Sequence, residues 1–180
     1  MIYIFLADGF EEIEALCPLD ILRRARLDVT TVGVGDKLDI VGAHGIKVAS
    51  DIKDTEFCDP SPDLVILPGG MPGTKNLEAS PVVKKAIDDA ISNDAFIAAI
   101  CAAPSILGKM GILQGKEATC FPGFEDSLEG AYLSDKKVVR DGKIITASGM
   151  GVALEFGLAI VEALLDKDSA QAIASQIQMN

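Results

Sequence analysis

The sequence predicts an α/β sandwich built on a largely parallel sheet, and three observations carry that expectation. Strand-like and helix-like segments alternate along all 180 residues, as they do when helices cover the faces of a sheet. Leu64–Leu67 and Phe96–Ile100 are short, unbroken apolar runs, which suits strands buried on both faces. Both runs end in turn chemistry, Pro68-Gly69-Gly70 after the first and Pro104 a few residues past the second.

Taken in order, residues 2–6 read as a strand and 11–24 as a helix. Pro18 lies inside that helix, cannot donate to the carbonyl of Glu14, and should kink it there. Residues 28–34 form the second strand, and two short strands at 38–41 and 46–49 are spaced as a hairpin beside the main sheet. After the buried strand Leu64–Leu67 comes a helix, Pro81–Ser92, with proline in its first turn, where a missing N–H costs nothing. Phe96–Ile100 then turns sharply into a helix that runs to about Met110. Shorter strands are expected near Ala118, Val138 and Ile145, and helices at 152–165 and 169–177 close the chain.

With 49% hydrophobic residues and a mean hydropathy of +0.32, the chain can bury a full core and is expected to form one domain, 1–180. Residues 1–7 have no basic lead and stop at Asp8, so they read as a strand rather than a signal peptide. Segment 151–165 carries Glu155 and Glu162, which suits a buried helix better than a membrane span. A soluble, cytoplasmic protein without a membrane partner is the expectation. Net charge is −11, and the only compact basic cluster is Arg23, Arg24 and Arg26, which argues against nucleic acid as a partner. Cys17, Cys58, Cys101 and Cys120 form no Cys-x-x-Cys pair, and one histidine leaves too few ligands for an obvious zinc site. Neither a metal nor a cofactor is expected, and the thiols should be reduced.

If the main strands run parallel, the loops after Leu6, Leu67 and Ile100 open on one edge, where open sheets bind ligands. That brings together the early glutamates, Gly69-Gly70 and Cys101. Cys101 stands between a buried strand and a helix start, a position that suits a nucleophile and favours the thiolate. A lone cysteine on an apolar strand is usually inert core, and the turn is what weighs against that reading. Helix phase selects among Glu11, Glu12 and Glu14: Glu14 falls within the apolar stripe, between Cys17 and Ile21 on one side and Pro18 and Ala25 on the other. Glu12 falls beside Leu16, Leu19 and Arg23, and Glu11 reaches water at the helix start. Burial raises a carboxyl pKa, so Glu14 is the acid expected to stay protonated and donate to a neighbouring thiolate. The N–H groups of Gly69 and Gly70 either only close a tight turn or face an oxyanion. Cys17 reads as core, Cys58 as a loop thiol, Cys120 is undecided, and His44 alone would be a surface or packing residue.

These residues also carry a resemblance. The chain is similar to the ThiJ/PfpI superfamily, in the branch of the Parkinson's disease protein deglycase and bacterial YajL-type proteins. The matching stretches are residues 7–14, 18–25, 65–70 and 98–104, with Phe121-Pro122 and 155–161 further on. The resemblance implies a flavodoxin-like three-layer sandwich, a homodimer, Cys101 as the reactive thiol and Glu14 as its protonated partner. It also implies backbone donors from Gly70 and Ala102 around the thiolate. Protease-like members carry a histidine directly after the cysteine; Ala102 stands there in this chain, and Phe121 replaces a histidine of some relatives. His44 occupies a position where relatives often have an arginine that reaches the neighbouring subunit's site. Arg24 matches another arginine of that anion-binding neighbourhood, and Met150 departs from a common proline.

The leading expectation is a cysteine-dependent enzyme acting on small reactive carbonyls or glycated substrates, a glyoxalase or a deglycase. Cys101 would add to the aldehyde, and Glu14 would move the proton. The alternative is a redox sensor or redox-regulated chaperone in which Cys101 is oxidised to sulfinate. An intracellular protease or amidase comes third.

Overall fold

The computed structural model describes residues 1–179. Seven strands form the central sheet: β1 (Ile2–Leu6), β2 (Val29–Gly33), β5 (Ile52–Lys53), β6 (Leu64–Leu67), β7 (Phe96–Ile100), β10 (Val138–Asp141) and β11 (Ile144–Ala147). Their spatial order is β10-β11-β7-β6-β1-β2-β5, parallel throughout except for the β10–β11 hairpin. The register pairs Ile4 with both Thr31 and Ile66, and Ile66 with Ala98, so the carboxyl ends of β1, β6 and β7 share one edge. Two small ladders lie outside this sheet: β3 (Asp39–Val41) with β4 (Lys47–Ala49), and β8 (Glu117–Ala118) with β9 (Tyr132–Leu133).

Side-chain alternation along the strands builds two cores. Ile2, Ile4 and Leu6 of β1, with Ile66, Ala98 and Ile100, face helices α1 (Glu12–Arg24), α5 (Ala153–Leu164) and α6 (Lys167–Gln176). Tyr3 and Phe5, with Val65, Leu67, Ile97 and Ala99, face α2 (Gly73–Ala79), α3 (Pro81–Ser92) and α4 (Pro104–Lys109). Phe5, Phe10, Phe156 and Leu67 are completely buried, and each such side chain contributes roughly 1.5–3 kcal/mol. Helix starts follow local chemistry: Ser80 accepts from the Val83 N–H at the head of α3, and Asp166 accepts from Ser169 at the head of α6. This is the mainly parallel three-layer architecture expected from the sequence.

The differences are local. Helix α2 is an addition, seven residues long with glycine first and no side-chain cap. Strands β5 and β9, two residues each, are too short for an alternation pattern to register. The helix after β7 begins at Pro104, so Cys101, Ala102 and Ala103 form a turn ahead of it. No helix among the described residues is long and apolar enough to cross a membrane.

Candidate active site

Cys101 follows the last residue of β7 with φ at +64°, in the left-handed region that few residues other than glycine adopt. Such a conformation costs on the order of 1 kcal/mol and persists only when its surroundings hold it. Here both peptide groups of Cys101 are held. Its N–H donates to the Ala147 carbonyl at 2.9 Å, and its own carbonyl accepts from the Phe121 N–H at 2.8 Å. The turn presents a half-buried sulfur on the carboxyl edge of the sheet, where the parallel topology had placed it.

Glu14 reaches that sulfur from the first turns of α1. It is 1% exposed, faces the Cys101 thiol closely enough for each group to shift the other's proton affinity, and its Oε2 accepts from the Gly69 N–H at 2.9 Å. Gly69 is required by close approach, since a Cβ there would stand 2.6 Å from the Cys101 Cβ and 2.6 Å from Glu14 Oε2. Gly69 is therefore not a donor to an oxyanion: its N–H is committed to Glu14 and its carbonyl accepts from Glu11. The N–H groups of Gly70 and Ala102 do face the sulfur and favour its anion.

Burial, aided by the Glu11 charge, pushes the Glu14 carboxyl up to about 7. Burial, then the facing Glu14 carboxylate, pushes the Cys101 thiol up to about 12, against the pull of the Gly70 and Ala102 donors. Because α4 starts three residues later and the facing group is the Glu14 carboxyl, the charge on the sulfur is set by the proton of that carboxyl and not by a helix end. The two groups titrate as a unit. Between about 7 and about 12 the pair holds one proton, either on Glu14 beside a thiolate or on sulfur beside a carboxylate.

The remaining candidates are dispersed. Arg24 pairs with Asp20 at 2.6 Å on an exposed face. It lies ten residues along α1 from Glu14, about 15 Å at 1.5 Å per residue, so its own chain does not bring it to the sulfur. His44 sits in the β3–β4 loop with Nδ1 2.9 Å from Glu12 and 3.5 Å from Glu11. Cys120 belongs to the core on the other face of the sheet from Glu14 and Cys101, and burial raises its thiol to about 11. Phe121 and Met150, both about half exposed, border a groove of about 730 Å³ that continues past Val152 to Leu133 and Lys137.

Sequence reasoning missed Glu12, which is 2% exposed. Its Oε1 accepts from the His44 N–H at 2.8 Å and, more weakly, from Ile46 at 3.4 Å. Burial works to raise its pKa, but the His44 side chain and these backbone donors hold it below the usual glutamate value. The loop that covers it comes from 32 residues away, so helix phase alone carried no sign of it. Glu11, Glu12 and His44 offer three ligand atoms within 4.8 Å of one another, a donor set that suits a divalent transition metal in kind. Glu12 Oε1 is already spent on the backbone, and the imidazole itself supplies a positive partner when protonated.

The chain is 36% identical over 176 residues to Protein DJ-1 homolog B of Arabidopsis thaliana; that match takes in 97% of the chain and 40% of the plant protein, so the chain spans less than half of that relative. It is 34% identical over 157 residues to the glutathione-independent glyoxalase DJR-1.2 of Caenorhabditis elegans, covering 86% of this chain and 82% of that one. The crystal structure of a mutant of the DJ-1 superfamily protein STM1931 from Salmonella typhimurium superposes with a TM-score of 0.95 at 32% identity, over 99% of this chain and 98% of the other. The model of the DJ-1/PfpI family matches residues 1–163, and the chain belongs to that family.

Proposed function

We propose that this chain is a cofactor-independent enzyme of small reactive carbonyls, of the glutathione-independent glyoxalase type, with Cys101 as nucleophile and Glu14 as proton carrier. The observation that carries the reading is one juxtaposition: a half-buried thiol on a strained turn, facing across Gly69 a buried carboxyl whose pKa is raised to about 7. An acid or base with a pKa close to the working pH is the most effective proton carrier.

Cys101 thiolate adds to the aldehyde carbon of a 2-oxoaldehyde, and the oxygen takes the proton from Glu14, giving a hemithioacetal. The Glu14 carboxylate then removes the C–H proton of that carbon and returns it to the neighbouring carbon, formerly the ketone, while the hydroxyl proton of the hemithioacetal passes to the former ketone oxygen. The product is a thioester of a 2-hydroxy acid, and water hydrolyses it to release the acid and the thiol. The aldehyde carbon is oxidised as its neighbour is reduced, so no external oxidant enters. Gly70 and Ala102 N–H groups stabilise the sulfur anion before attack. A deglycase reaction on methylglyoxal adducts would use the same two groups.

The reading extends to a homodimer in which Arg24 and His44 of a second copy bind the anionic end of substrate or product. Ile13, Ile46 and Met150, 43%, 54% and 52% exposed around the start of α1, support such an apolar contact. The test is steady-state lactate formation from methylglyoxal by purified protein. Many turnovers per chain, abolished in Cys101→Ala and reduced in Glu14→Gln, are expected; consumption that stops at one equivalent would overturn the enzymatic reading.

A second reading, redox sensing through a Cys101 sulfinate, draws support from a different observation. Cys120 packs in the opposite core, so no thiol from that side stands ready to resolve a sulfenate as a disulfide, which leaves further oxidation open. Sulfinate accumulation with no lactate turnover would favour it. A Cys–His protease pairing finds no support: the sole histidine, His44, is engaged with Glu11 and Glu12.

A further inference from the structure

The buried Glu12 carboxylate is not used by the carbonyl chemistry, yet a continuous set of contacts ties it, and the histidine it holds, to the reacting pair of the same chain. Glu12 fastens the loop between β3 and β4 to the start of α1 through two backbone N–H groups and the His44 ring. Gly42 permits this, since a Cβ there would lie 2.3 Å from Glu12 Oε1. The ring so placed stands 3.5 Å from the Glu11 carboxylate. The Glu11 N–H donates to the Gly69 carbonyl at 3.0 Å, and the N–H of Gly69 holds Glu14 at 2.9 Å. Glu14 in turn faces Cys101.

We propose that Glu11, Glu12 and His44 are positioning residues that decide where the shared proton of the Glu14–Cys101 pair resides, with His44 acting as a charge-dependent brake on the thiolate. The inference rests on the reading of Cys101 and Glu14 as the reacting pair. The Glu11 charge repels a second negative charge on Glu14. It drives the proton onto the carboxyl and leaves the anion on sulfur, where Gly70 and Ala102 receive it. A protonated His44 beside Glu11 offsets that repulsion and lets the carboxylate form return. The charged groups that face the participants are few: Cys101 and Glu11 for Glu14, and Glu11 and Glu12 for His44. Hydrogen bonding to Glu12, then the Glu11 and Glu12 charges, raise the His44 pKa, so the brake engages as pH falls toward and below neutrality.

The test is a double-mutant cycle read by the rate of Cys101 alkylation with iodoacetamide, followed by peptide mass mapping across about pH 5 to 9. Glu11→Gln should slow Cys101 about threefold near neutral pH, the equivalent of about half a pKa unit. His44→Gln should speed it by about the same factor at pH 6, with the gain fading by pH 9, as the imidazole of the unsubstituted protein loses its charge. In the Glu11→Gln background, His44→Gln should change nothing. Glu12→Gln, which keeps an acceptor for the loop but removes the charge that holds the imidazolium, should follow His44→Gln. Should Glu12→Gln lose its circular dichroism signature, the Glu11 and His44 variants decide alone. Equal His44→Gln effects in both backgrounds, or none at pH 6, would overturn the proposal. Glu14→Gln separates the two levels: an unchanged Cys101 profile there defeats the reacting pair itself, whereas a changed profile with an additive cycle defeats only the brake.

Discussion

Glu14→Gln should remove one pH-dependent contribution to stability. The side chain keeps its volume, and its amide oxygen can still accept from Gly69, but it has no proton to bind or lose. In the native protein Glu14 titrates at about 7 against an ordinary value of 4.5, chiefly because it is buried. A carboxyl whose folded pKa is raised holds its proton longer in the native state than in the unfolded chain, so its contribution to stability is complete below the unfolded value. That contribution is lost as pH rises between 4.5 and about 7. At 1.36 kcal/mol per unit the loss is about 3 kcal/mol, a large part of a typical domain's net stability. Urea denaturation of both proteins from about pH 4 to pH 8 reads it directly. The difference in unfolding free energy, variant minus wild type, should become more positive by about 3 kcal/mol between those limits. Parallel curves would refute the argument, because a Glu14 that titrates normally cannot share a proton with Cys101 near neutral pH.

Gly69→Ala should destabilise the protein by about 1–3 kcal/mol by denaturation and remove carbonyl turnover, because its methyl group would stand 2.6 Å from both Cys101 Cβ and Glu14 Oε2; a stable, active variant would contradict the close approach. Thr74 is 1% exposed and its hydroxyl has no hydrogen-bond partner, so Thr74→Val should stabilise the fold by about 1 kcal/mol, whereas a loss of that size would reveal a partner for the hydroxyl. Under limiting peroxide, intact-mass and peptide analysis should find oxygen adducts first on Cys101 and no Cys101–Cys120 disulfide, since those residues pack in different cores; detection of that bridge would contradict that separation.

What could be read before any coordinates follows from how local each signal is. The apolar runs at Leu64–Leu67 and Phe96–Ile100 announced doubly buried strands, and the order of elements then placed three loops on one edge. Glu14 was found from phase because α1 buries a single stripe and the carboxylate lies in it. Glu12 was lost because its burial comes from the loop around His44, a tertiary partner that phase cannot foresee. The role of Gly69 was half legible: a tight turn with available N–H groups could be read, but not that the N–H would serve Glu14 instead of a reacting oxygen. The proton equilibrium of Cys101 was only partly legible for a related reason. A helix start is visible in sequence, whereas the depth of burial and the charge across the pocket are set by a segment nearly 90 residues away.

The left-handed turn at Cys101 has an evolutionary corollary. Glycine would adopt that backbone without strain, and leucine or glutamine at position 14 would carry no buried proton equilibrium, so both positions should yield more stable proteins when changed. A population selected for heat tolerance alone would drift toward those substitutions and lose its nucleophile and its acid together. Retention of a strained cysteine opposite a buried glutamate is therefore a signature of selection for chemistry, and a thermostabilisation campaign on this scaffold should hold both residues, with Gly69, outside its library.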